Sequence, residues 1–203
     1  MNKTKHFLNK WVIYGRTYIE NSYYNFGEND DISNVYPNIY ISNYSTSTNL
    51  KILKENRITH IISAIPKYDK PFPELFNYLH IPVYDDDTQH ITSHFDKTNK
   101  FIEDALNANQ SVLIHCMEGR SRSVSIFIAF LIDMIKKRKA HGDYDFKEIN
   151  SLQEEYNKIV DQQMPNINKL QLMEKIMSYV KTHRQIAEPN SYFMGQLIDR
   201  LIS

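Results

Sequence analysis

The sequence predicts an α/β fold: a central, mostly parallel sheet flanked by helices, with a helical C-terminal half. Two observations predict it. From about residue 38, short apolar and β-branched runs alternate with segments of helical period. Beyond residue 123, apolar residues recur only at helical spacing.

Taken in order, Asn38–Tyr44 (NIYISNY) predicts a strand and Thr48–Arg57 a short helix. His60–Ser63 and Tyr78–Val83 are apolar, partly β-branched strand candidates. Phe95–Asn107 predicts a helix with Phe95, Ile102 and Leu106 on one side, and Val112–His115 (VLIH) a short strand. Ser123–Arg138 is apolar nearly all round, as expected of a helix buried at the centre of a domain. Helical spacing then continues through Ile149, Leu152, Tyr156 and Ile159, through Leu170, Met173, Ile176, Met177 and Val180, and through Phe193, Leu197 and Leu201.

No repeat and no Pro/Gly/Ser-rich linker divides the chain. The expected organisation is an N-terminal extension over residues 1–30 and one domain over 31–203, with a helical insertion at about 138–168. In the extension, Phe7, Trp11, Tyr14 and Tyr18 predict an amphipathic helix, expected to pack on its own domain or else to bind a partner, a second copy as a homodimer, or a membrane surface. The insertion carries an amphipathic helix near Phe146–Val160, expected to cap the domain.

Composition narrows the function. Of 203 residues 41% are hydrophobic, enough to fill one core. Lys and Arg number 24 against 24 Asp and Glu, so no global field draws the chain to nucleic acid or an anionic membrane. The longest wholly apolar run, Ile126–Ile132, is far short of the roughly 18 residues of a membrane span. The first 20 residues lack the apolar centre of a secretory signal, so the expected location is the cytoplasm, with the nucleus left open. The single cysteine excludes an internal disulfide and any zinc site built from several cysteines.

A lone cysteine is ordinarily a small buried hydrophobe. The context of Cys116 says otherwise. In Val112–Ser123 (VLIHCMEGRSRS) a strand runs into Cys116, Arg122 and Ser123 follow, and a buried helix starts at once. Such a strand-to-helix turn gathers the backbone N–H groups of Met117, Glu118, Gly119, Arg120, Ser121 and Arg122 around one point, under the positive end of the helix. That cup suits a dianionic phosphate. Gly119 fits where the backbone must bend and approach the anion without a Cβ. The same field lowers the pKa of a thiol and makes Cys116 a nucleophile. Arg122 offers a planar fork matching two phosphoryl oxygens. Ser123 can donate its hydroxyl to the sulfur, and His115 can fix the loop through its ring and backbone. Arg120 is expected to be surface charge at the mouth of the cup and Glu118 a loop residue held by local hydrogen bonds. The chemistry calls for no cofactor and no metal. It does call for an acid to protonate the leaving oxygen. Asp85, Asp86 and Asp87 stand together in IPVYDDDTQHITSHF, and the residues alone do not choose among them. His90 and His94 are expected at the surface.

The Cys116–Ser123 segment resembles the HC-x2-G-x2-R-S/T signature of the protein tyrosine phosphatases, and its surroundings resemble the dual-specificity subfamily. Ile126–Leu131 (IFIAFL) stands where that family has its central helix, and Pro189–Leu197 (PNSYFMGQL) resembles its closing segment. Ile39–Ile41 and Arg57–Ile62 resemble its opening strands, so the likeness covers roughly residues 32–138 and 169–201. It implies a protein phosphatase acting on phosphotyrosine and phosphoserine or phosphothreonine, with Cys116, Arg122 and Ser123 catalytic and residues 115 and 117–121 binding phosphate. The family's acid follows an I-P-x-x run and precedes an aromatic residue by ten positions, which selects Asp85, with Asp86 second. The only tryptophan, Trp11, is nowhere near Asp85, so the Trp-Pro-Asp acid loop of tyrosine-only members is absent and a shallower pocket is implied. The alternatives are a phosphoinositide or other phospholipid phosphatase, or a catalytically weak module that binds phosphoproteins. Against the lipid alternative, Met117 and Glu118 are not basic, and the one dense basic run, Lys136–Lys139, is short. An RNA 5′-triphosphatase also uses such a loop, and neutral net charge disfavours it.

Overall fold

The computed structural model describes residues 31–67, 70–137, 147–162 and 166–202. The aromatic stripe of residues 7–18 lies outside them. The chain begins with β1 (Ile32–Tyr36), β2 (Ile39–Ser42), α1 (Tyr44–Ser47), α2 (Leu50–Glu55), β3 (Ile58–Ala64) and β4 (Asn77–Ile81). A 3-10 turn (Ile91–His94) leads into α3 (Phe95–Asn107), β5 (Ser111–His115) and α4 (Arg122–Lys137). Three helices follow: α5 (Lys147–Asp161), α6 (Asn166–His183) and α7 (Ser191–Ile202).

The sheet order is β1-β2-β5-β3-β4, with β1 antiparallel to β2 and every other pairing parallel. Strand β1 was not expected from the sequence. Its polar Ser33 and Asn34 hide the alternation, which an edge strand tolerates. Pro37 and Asn38 close the β1–β2 hairpin, Asn38 taking the left-handed conformation at φ 60 that asparagine tolerates. Tyr44 falls in a helix rather than in the expected strand, because the Asn43 side chain accepts the Thr46 N–H at 2.9 Å and caps α1.

Side chains alternate across the sheet at the period of two that a strand imposes. Val112 and Ile114 of β5 join the main core with Ile62, Phe95, Phe127 and Phe193. Leu113 faces the other way, toward Leu53, Ile61 and Phe76 under α2. Helix α4 fills the centre and buries all but a few of its residues. Asp133, half-buried on this helix, accepts from Arg200 of α7 and from Asn99 of α3, so its charge is paired. Helix α5, in the insertion, contributes Ile149, Leu152 and Ile159 to the main core. Among the described residues no helix is long and apolar enough to cross a membrane.

Candidate active site

The loop between β5 and α4 opens at the carboxyl end of the most central strand, where open parallel sheets place their ligand crevices. Cys116 ends up almost fully buried there, with Sγ 3.3 Å from the Ser123 hydroxyl. Burial by itself pushes the thiol up. The Arg122 guanidinium, the Ser123 hydroxyl and the backbone N–H groups of Ser123 and Arg120 outweigh it, and the thiol lies below its ordinary range. Arg120 lies in the loop and Ser123 in the first turn of α4, so both N–H groups reach the sulfur from the helix side.

Asp85 reaches this loop from the segment that follows β4. Its carboxylate accepts the Ser121 hydroxyl at 2.7 Å, the Asn190 amide at 2.8 Å and Arg122 Nε at 3.3 Å. Arg122 also donates to the Val83 carbonyl at 3.3 Å and is 5% exposed, so its fork is held by the segment that carries the acid. Asp86 has another occupation. It accepts the Thr88 N–H at 2.9 Å and the Thr88 hydroxyl at 2.6 Å, and these bonds hold its carboxyl below the usual range. Asp87 is exposed. His90 is exposed with its ring against Tyr192, and His94 is half-buried.

The remaining loop residues act as framework. The Met117 carbonyl accepts the Tyr44 N–H at 3.1 Å, tying the loop to the start of α1. Ser121 caps α4 by accepting the Ser125 N–H at 2.8 Å and the Ser125 hydroxyl at 2.9 Å. Arg120 is exposed and pairs with Glu188.

Two framework residues were not predicted as part of the site. Asn190 lies within the quoted Pro189–Leu197 segment, yet only the fold shows that it bridges Asp85 and Ser121. Arg184 had no local signal at all. It is 2% exposed and donates to the Gly119, Glu118 and Ile41 carbonyls, to Ser33 and to Asp31. This buried cation straps the back of the loop to β1 and β2, with Asp31 as its charge partner.

Gly119 sits at φ +66, and a Cβ there would collide with Arg184 Nη2 and the Ser42 carbonyl. Gly119→Ala is therefore expected to displace the loop from its strap. The backbone strain corresponds to about 1–3 kcal/mol, to be read as a lower midpoint in urea unfolding together with lost phosphate-monoester turnover. Unchanged stability and turnover would refute this account of the loop.

His115 is fully buried, its Nδ1 3.4 Å from the Cys116 carbonyl. Burial first, then the charges of Arg122 and His80, depress its pKa to about 3, against the opposing pull of the Cys116 carbonyl. The unfolded chain protonates this ring near 6.5 and the folded chain does not. The site's contribution to stability is complete above the unfolded value and falls as pH drops toward the folded one, by up to about 1.4 kcal/mol per pH unit. Urea unfolding of the wild type and of His115→Asn at pH 7 and pH 5 should give a smaller pH dependence for the variant. Equal dependences would show that His115 is not the group.

Comparison with known proteins agrees with this geometry. The profile of the family described as "Dual specificity phosphatase, catalytic domain" matches residues 39–168. Dual specificity protein phosphatase 1B of Arabidopsis thaliana is 31% identical over 167 residues, covering 82% of this chain and 80% of that protein. Protein phosphatase Slingshot homolog 3 of Mus musculus is 34% identical over 103 residues, covering 51% of this chain but 16% of that protein. The chain thus spans about a sixth of the length of that Slingshot phosphatase. Among solved structures, DUSP15 superposes with a TM-score of 0.62 at 25% identity, covering 84% of this chain and 87% of that one. The Yvh1 phosphatase domain of Chaetomium thermophilum superposes at 0.60 with 26% identity, covering 83% and 92%. By its sequence profile and its fold, the chain belongs to the dual-specificity phosphatase family.

Proposed function

We propose that the chain is an active protein phosphatase that hydrolyses phosphotyrosine and phosphoserine or phosphothreonine through a cysteinyl-phosphate intermediate. One observation carries the reading: a thiol of lowered pKa, buried among Arg122, Ser123 and loop amides, with a carboxylate from the segment after β4 bonded to the same loop. In the first step Sγ of the Cys116 thiolate attacks phosphorus, and the S–P bond forms as the P–O bond to the substrate breaks. Asp85 gives its proton to the departing oxygen. Arg122 and the loop N–H groups hold the equatorial oxygens as charge develops on them. In the second step Asp85 takes a proton from water, the water oxygen bonds to phosphorus, and the S–P electron pair returns to sulfur. The Ser123 hydroxyl stabilises the thiolate that leaves. The products are the dephosphorylated side chain and inorganic phosphate.

A protein substrate is favoured over a phospholipid because the loop's second cation, Arg120, is occupied by Glu188 rather than offered to a headgroup. A thiolate nucleophile must also stay reduced, which fits the cytoplasm or nucleus. The test is hydrolysis by the reduced full chain of a small aryl phosphate, of phosphotyrosyl and phosphothreonyl peptides, and of phosphoinositide vesicles. No turnover of the aryl phosphate would leave only a phosphoprotein-binding module, and faster turnover of vesicles than of peptides would favour the lipid reading. The aromatic stripe of residues 7–18 belongs to this proposal as a self-association element. An unchanged sedimentation mass on removing residues 1–20 would dismiss it.

A further inference from the structure

The mouth of the cup carries a charge pair that the mechanism above does not use. Arg120 lies in the loop between Gly119 and Ser121, its side chain 46% exposed, and its guanidinium meets the Glu188 carboxylate. Exposed ion pairs add little to stability, so this pair does little to hold the fold. Its position, however, is dictated by the backbone. The Glu188 N–H donates to the Arg120 carbonyl at 2.9 Å. On one side of Glu188, Ala187 is fully buried and its N–H donates to the Arg184 carbonyl at 3.0 Å. On the other, Asn190 bonds both Ser121 and Asp85. Glu188 is thus delivered to Arg120 by a segment fastened to the catalytic loop at both ends.

Without that carboxylate, Arg120 would present a second guanidinium beside the phosphate cup. A free fork there would favour a second phosphoryl group or an acidic neighbour in the substrate. With it, the fork is occupied, and the remaining negative charge faces whatever flanks the reacting phosphate. The neighbouring segments are mixed in character, and next to Tyr84 the chain carries Asp85, Asp86 and the exposed Asp87. Tyr84, next to Asp85, is 52% exposed, and Ile186, two residues before Glu188, is 48% exposed. Their segments touch through Asp85 and Asn190.

We infer that Glu188 is a specificity residue that occupies the Arg120 guanidinium and selects singly phosphorylated segments over multiply phosphorylated ones. The inference rests on the protein-phosphatase reading and adds the class of substrate. The measurement is the ratio of kcat/KM for two peptides of one sequence, the second carrying an additional phosphate two residues from the first. The wild type should favour the singly phosphorylated peptide. Glu188→Gln should move the ratio about tenfold toward the doubly phosphorylated one, equivalent to about 1.4 kcal/mol. Adding Arg120→Gln to that variant should cancel the shift, since the freed guanidinium is its source. The shift should also shrink near 1 M salt, where the Debye length is about 3 Å; a merely structural effect would not. A ratio unmoved by Glu188→Gln, with both peptides turned over, would overturn the inference and leave the protein-phosphatase reading intact. Failure to turn over either peptide, with the aryl phosphate still hydrolysed, would overturn that reading and the inference together.

Discussion

Replacing Cys116 with serine is expected to abolish phosphate-monoester turnover, by roughly 10⁴-fold or more, as loss of a covalent nucleophile does. The substitution keeps the size of the side chain but removes its acidity. At Cys116, burial opposes the charged form, and Arg122, the Ser123 hydroxyl and two loop N–H groups overcome it. A serine hydroxyl is far too weak an acid for the same surroundings to ionise. Binding should survive, because the amide cup and Arg122 are untouched. Calorimetry with a phosphotyrosyl peptide should then give an affinity for Cys116→Ser near that of the wild type, while single-turnover assays give no product. The direction of the thiol shift has its own readout. Alkylation of the wild type by iodoacetamide should reach half its maximal rate at a pH below that of an ordinary thiol, and inorganic phosphate should protect. Turnover by Cys116→Ser at more than a few per cent of the wild-type rate would end the cysteinyl-phosphate mechanism.

Asp85→Asn should lower kcat by about 10²–10⁴-fold on phosphothreonyl and phosphotyrosyl peptides, the range associated with general acid catalysis. The loss should shrink for an aryl phosphate whose phenol leaves readily without a proton. That leaving-group dependence separates an acid from a residue that only supports the loop. Asparagine preserves an oxygen for the Ser121 hydroxyl and the Asn190 amide, so those two contacts at 2.7 and 2.8 Å need not be lost. It removes the charge facing Arg122, which stays linked to the Val83 carbonyl. Asp86→Asn supplies the contrast. Its carboxylate is engaged by its neighbour Thr88 rather than by Ser121, Arg122 or Asn190, so turnover within about twofold of the wild type is expected. An inactive Asp86→Asn beside an active Asp85→Asn would reverse the assignment.

The choice between these two aspartates shows where sequence reading stops. Asp85 and Asp86 are chemically identical neighbours, and a family spacing alone preferred the first. The fold distinguishes them by partner: Asp85 meets three groups of the phosphate-loop region, while Asp86 closes a local turn on Thr88. Asn190 and Arg184 were illegible for a related reason. Each acts on residues far along the chain, Asn190 on Asp85 and Arg184 on Asp31, Ser33, Gly119 and Glu118. No periodicity or local motif encodes such a contact. Strand β1 was missed because pairing with β2 and the cover of α6, where Tyr179 donates to the Val35 carbonyl at 3.0 Å, stabilise residues whose own alternation is weak.

Local physics, by contrast, was written plainly. The strand β5, the turn with Gly119 and the buried helix α4 are contiguous, so a short apolar run passing into a long apolar helical segment across Cys116 locates the turn without tertiary knowledge. By itself, then, the sequence determined an α/β domain and a lone cysteine set between a strand and a buried helix, six residues from an arginine, because these are set by residues close to one another in the chain. Only the tertiary structure decided which carboxylate reaches that cup, which buried cation braces it and how Arg120 is neutralised. Those contacts join segments that the chain keeps apart and only the packed sheet and helices bring together.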